Sequence, residues 1–151
     1  MATEIVVDAR RTGRSYQAAR RRRAELLRAM QELERAVAAP AAEPAWRERV
    51  REQVTALRHQ LAEHVVVTEG PDGLYAELLE HAPRLHRPVV RLVAEHGDLL
   101  ARSEALVRHL AAPAPVVRER AGELLAALSR HRQRGADLVY EAYQADIGGE
   151  T

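Results

Sequence analysis

Three of the seven histidines in this sequence stand where a helix needs an apolar side chain. His64 continues the stripe Trp46, Val50, Val54, Leu57, Leu61. His96 interrupts the series Leu85, Val89, Leu92, Leu99, Leu106, Leu110, and His131 follows Val117, Ala121, Leu124, Leu128. A neutral imidazole carries one nitrogen lone pair, and three such donors at one point suit a divalent cation. With no thiolate present, Fe or Zn fits this donor set, and Mn, Co, Ni or Cu is compatible with it. Each histidine taken alone has a plainer reading as a core imidazole hydrogen-bonded to a neighbour. Counting favours a shared site. His96 lies 16 residues before Ala112 and His131 lies 16 residues after Pro115, a climb of about 24 Å on each side of that break at helical rise. His64 and His96 lie 17 and 15 residues from His81, so the three imidazoles are expected at one depth. His59, His81, His86 and His109 fall off these stripes and are expected to face water.

Four helices are required to hold that layer. Pro40 with Pro44, the stretch Gly70-Pro71-Asp72-Gly73, Pro83 with Pro88, Pro113 with Pro115, and Gly148-Gly149 divide the chain into segments poor in breakers. Each segment carries apolar residues at spacings of three and four, and period-two alternation is absent. The fold class expected is all-α, an up-down-up-down four-helix bundle over residues 15–151. Residues 1–14 fit none of the stripes and are expected to form an N-terminal arm.

Composition narrows the function. The chain has 151 residues and no cysteine, so disulfides and thiolate metal sites are excluded. The apolar run Ile5 to Val7 is too short for a signal-peptide core or a membrane span, and a cytoplasmic protein is expected. Formal net charge is +1. Positive charge gathers in the first 35 residues around Arg20 to Arg23, but no aromatic interleaving accompanies it, so nucleic acid is not an expected partner. Gly-rich phosphate loops, HExxH and a nucleophile elbow are all missing, which leaves little support for a conventional enzyme.

The segments "LAEHVVVTE" (61–69), "GLYAELLEHAPRL" (73–85), "RLVAEHGDLL" (91–100) and "LSRHRQRGADLVYEAYQADIGG" (128–149) resemble the hemerythrin-like family, the histidine-histidine-glutamate cation-binding domain. The resemblance implies a four-helix bundle with a non-haem iron centre, used for oxygen binding, iron or redox sensing, or peroxide and nitric oxide chemistry. It assigns His64, His96 and His131 to the family's histidines on the second, third and fourth helices. Other expected ligands are replaced. Leu92 stands one turn before His96, Thr68 and Gly135 stand where bridging carboxylates would follow His64 and His131, and the first helix has no histidine near Arg22 and Arg23. The family's dinuclear centre needs about five to seven protein ligands including carboxylates, so one ion is expected rather than two. Among the nearby acids Glu69, Glu95, Asp137 and Glu141, Glu69 is the expected fourth ligand, reached through distortion of the helix before Gly70-Pro71. Gly135 leaves room for water or a small ligand such as dioxygen, or else permits close helix packing. Arg22 or Arg23 would oppose a cation at the site or pair with Glu69 or Asp137.

These residues lead to a metal-binding protein with a reduced non-haem iron or zinc site, suited to oxygen or redox sensing or a stress response. The alternative is a metal-free interaction module that keeps the bundle as scaffold and holds no cofactor. A homodimer through a helix face such as that of residues 85–110 is compatible with either.

Overall fold

The computed structural model describes the backbone of residues 2–145 and the side chains of 14–143. Four long helices account for most of the chain: α1 (Ala2–Ala38), α2 (Trp46–Glu69), α4 (His86–Arg108) and α5 (Ala114–Tyr140), with a short α3 (Leu74–His81) between the second and third. No strand occurs among the described residues. Each long helix touches two others, α1 with α2 and α5, and α4 with α2 and α5. The result is an all-helical assembly of four, consistent with a four-helix bundle.

The breakers act as their chemistry requires. Pro115 sits in the first turn of α5, where its missing N–H leaves no helical bond unmade, and Pro88 sits in the first turn of α4. Helix α2 ends at Glu69 because Gly70 adopts an extended conformation as its C-cap, while still donating its N–H to the Val66 carbonyl. The stretch 74–85, between the breaks at Gly70–Gly73 and Pro83–Pro88, folds as α3 followed by a 3₁₀ turn at Pro83–Leu85. Residues 2–14, expected to stand apart from the helices, are continuous with α1. No proline lies before Pro40, and the single Gly13 costs a helix only about 1 kcal/mol. The Gly148-Gly149 break lies outside the described residues.

Two apolar clusters fill the interior. One holds Leu26, Met30, Leu33, Trp46, Val50, Val54, Leu57, Leu61, Leu99, Leu106, Leu124 and Leu128 among others. The second, smaller cluster gathers Ala19, Leu74, Tyr75, Leu78, Leu85, Val89, Leu92 and Leu138. At the far end of the larger cluster, Trp46 lies between two guanidiniums, Arg47 and Arg118, at 5.8 and 5.4 Å from its ring centre. Arg47 donates to the carbonyls of Leu110 and Ala112, and Arg118 to those of Val37 and Ala39. Carbonyls left without helical partners where α1 and α4 end are thus satisfied by side chains. The histidines occupy the layer between the clusters. Along α2 the order is Leu61, His64, Thr68, along α4 Leu92, His96, Leu99, and along α5 Leu128, His131, Leu138.

Candidate metal centre

His64, His96 and His131 meet in that layer. Their ring centroids are 5.0 Å (64–96), 5.6 Å (64–131) and 4.7 Å (96–131) apart. All three are buried, with 5, 1 and 2 % of their surface exposed. One nitrogen from each falls within 4.8 Å of the others. An ion bonded to three imidazoles at ~2.1 Å fixes nitrogen spacings of about 3.6 Å or less, so rotamer adjustments on the order of 1 Å convert this cluster into a closed ligand set. The other four histidines stay outside it. His59, His81 and His86 are exposed, and His109 is half-buried with its Nδ1 2.7 Å from the Ala105 carbonyl oxygen.

The imidazoles are neutral. Burial pushes His64 down to about 3, helped by His96, His131, Arg23 and Arg132. Burial likewise pushes His96 down to about 3, with His131 adding to the effect and Glu95 opposing it. His131 is lowered by burial against the opposing pull of Glu95. Neutral rings keep the lone pairs that a cation requires, and a buried charge here would have no solvent to support it.

Two carboxylates stand behind the rings. His96 Nδ1 donates to Glu69 Oε2 at 2.9 Å, which fixes the tautomer and leaves the Nε2 lone pair free toward the buried Tyr75 hydroxyl, 3.5 Å away. Burial raises the Tyr75 phenol well above its usual range, so it remains a donor. Glu95 Oε1 lies 3.6 Å from His131 Nδ1, and both Glu95 oxygens accept from Arg134 Nη1 at 2.9 Å. His64 has no such support: neither of its ring nitrogens has a hydrogen-bond partner, and His131 Nδ1 also lacks one. Unpartnered buried nitrogens are costly and rare.

The structure therefore brings together three of the four expected ligands and places the fourth differently. Glu69 is the last residue of α2, one position past Thr68 and so turned about 100° from it. That turn carries its carboxylate behind His96, outside the three-nitrogen cluster. Thr68 is buried, with its hydroxyl donating back to the His64 carbonyl at 2.8 Å. Gly135 borders a cavity of about 20 Å³ shared with His64, His131 and Tyr75, and a Cβ built there meets nothing within 4 Å. The glycine thus marks space beside the histidines and is not required for close packing. Arg22 pairs with Glu25 and Glu63 and not with the site, whereas Arg23 lines the cavity. Asp137 accepts from Gln133.

Glu95 is legible in the sequence as a nearby acid but not as the neighbour of His131, and Arg134 is not legible as part of the site. Glu95 adjoins His96 in sequence yet serves His131 on another helix, because one residue along α4 turns the side chain toward α5. The i, i+3 spacing of His131 and Arg134 was the only available signal, and in a chain this rich in arginine it carries little weight.

No protein-family model, curated protein or solved structure matches this chain.

Proposed function

We propose that this protein is a divergent hemerythrin-like bundle that holds a single transition-metal ion, iron or zinc, through His64, His96 and His131. The observation that carries the reading is His64, a buried neutral imidazole with both nitrogens unpartnered, facing two further neutral imidazoles. A cation bonded to all three rings would remove that polar deficit in one step. Glu69, and more distantly Glu95, would orient the rings and raise their basicity, as carboxylates behind metal-bound histidines do. Their charges would also balance that of the ion. A bound ion would supply Lewis acidity, or with iron one-electron redox chemistry toward a small ligand such as dioxygen, beside the cavity of about 20 Å³ at Gly135. Oxygen or redox sensing is the role this combination fits.

Elemental analysis of protein purified without a chelating tag, beside the His96→Ala variant, tests the reading. About one equivalent of Fe or Zn in the wild type, lost in a variant that remains helical by circular dichroism, is the expected result. Metal-free wild type that also takes up neither ion on addition would overturn it. The competing reading, a metal-free interaction module, draws on the positive charge of Arg23 and Arg132 near His64. It requires chelation to leave the melting temperature unchanged.

A further inference from the structure

Three histidines are one donor short of the four that a tetrahedral ion takes, and the positions one turn past His64 and His131 do not supply the fourth. Thr68 turns its hydroxyl back onto the His64 carbonyl, and Gly135 has no side chain. Glu69 stands behind His96, bonded to Nδ1. The remaining oxygen comes from α3. That helix begins close against the end of α2: a Cβ built at Gly73 would lie 2.8 Å from the Val67 carbonyl oxygen and 2.9 Å from those of Gly70 and Thr68, so the chain turns there only because the residue is glycine. Two residues further on, Tyr75 is buried, with 6 % of its surface exposed. Its ring lies within 12° of parallel to that of His96, centroids 5.9 Å apart. Its hydroxyl is 3.5 Å from His96 Nε2, the nitrogen left free by the Glu69 bond, and the same residue lines the cavity with His64 and His131.

That 3.5 Å separation is long for a hydrogen bond, which closes to about 2.7–3.2 Å. Two atoms bonded to one tetrahedral ion at ~2.1 Å stand about 3.4 Å apart, so the phenol oxygen and His96 Nε2 already have the spacing of two ligands that share a metal. We propose that Tyr75 is the fourth protein ligand, bound as phenolate, and that this donor makes the site select ferric iron over zinc. The inference rests on the three-histidine reading and adds a residue from a fourth element, α3. A phenolate is a hard anionic donor, matched to the more highly charged ion, whereas imidazoles alone suit iron and zinc alike. On binding, the phenol O–H bond breaks, its proton leaves to solvent and the oxygen electron pair passes to the ion, as ligands of this kind require. One proton is released for each ion bound, and no oxidation state changes.

The test uses the full chain stripped of metal by a chelator, offered ferric nitrilotriacetate or zinc chloride in parallel, and desalted. Bound metal is counted by elemental analysis, and the iron samples are followed by visible absorption and resonance Raman spectroscopy. Wild type is expected to hold iron in stoichiometric amount and to show a phenolate-to-iron charge-transfer band whose excitation enhances tyrosinate ring modes. Tyr75→Phe keeps the ring and its packing; it should lose the band, with an iron affinity lower by roughly tenfold to a hundredfold. The chain has four tyrosines, so Tyr16→Phe/Tyr140→Phe/Tyr143→Phe leaves Tyr75 as the sole source of a tyrosinate signal and should keep the band. Iron bound without the band in the wild type, a band that survives in Tyr75→Phe, or a band lost from the triple variant would overturn ligation by Tyr75 and leave the histidine reading standing. Uptake of zinc but not of iron would do the same. Uptake of neither ion would overturn both. If Tyr75→Phe does not fold, the wild type and the triple variant decide.

Discussion

His64 is the residue on which the chemistry turns, because it alone among the three clustered histidines has no polar partner for either nitrogen. Its environment makes a pH signature. Unfolded, an imidazole titrates near 6.5, whereas folded His64 and His96 hold out until about 3. Between those values the unfolded chain binds more protons than the folded one, so stability rises with pH across the interval. The stability tied to these rings is therefore complete above about pH 6.5 and drains away as pH falls toward 3. Urea midpoints of metal-free protein measured across this range should fall with acidification, and His64→Leu should flatten the profile by removing one of the groups. An identical slope in that variant would mean that His64 does not stay neutral in the folded chain.

At the scale of elements, α5 carries a glycine within the helical stripe that holds His131. Gly135 lies one helical turn beyond His131, in the interior of a 27-residue helix, with open space where a Cβ would be. Glycine in such a position gives up about 1 kcal/mol relative to alanine. Gly135→Ala should accordingly raise the melting temperature by about 2–4 °C for a chain of this size, read by differential scanning calorimetry. A fall would show that the glycine serves packing after all. Helix α2 shows the complementary case. Its C-cap at Gly70 stops the helix at the residue that supports His96, so the helix end and the placement of Glu69 are one feature.

At the scale of the molecule, the histidine layer divides the interior into the larger apolar cluster around Leu26, Leu57 and Leu124 and the smaller one around Tyr75, Leu85 and Leu138. A polar seam with unmet hydrogen bonds weakens the coupling between the two halves. The smaller half, which includes α3 and the end of α5, should open first. Metal added to stripped protein should then slow amide hydrogen exchange in α3 and in the last turns of α5 more than in the Trp46 end. Uniform slowing across both clusters would show that the layer does not act as a seam. Among the described residues no helix is long and apolar enough to cross a membrane.

Periodicity alone reached the four long helices, the inward faces of α2, α4 and α5, and the common depth of the three histidines. These follow from local rules: helical spacing sorts residues by burial, proline and glycine set the ends, and a fixed rise per residue converts counting into height. What lies between helices was beyond that reach. Helical rotation could say that Glu69 points away from Thr68, but not that His96 of α4 would be waiting there, nor that Glu95 would turn to α5 and be clasped by Arg134. Whether Arg23 faced water or the interior, and whether Gly135 served packing or left a void, likewise depended on how the helices lie against one another. Such pairings are set by side chains distant in the chain competing for the same small volume, and only the packed structure decides that competition.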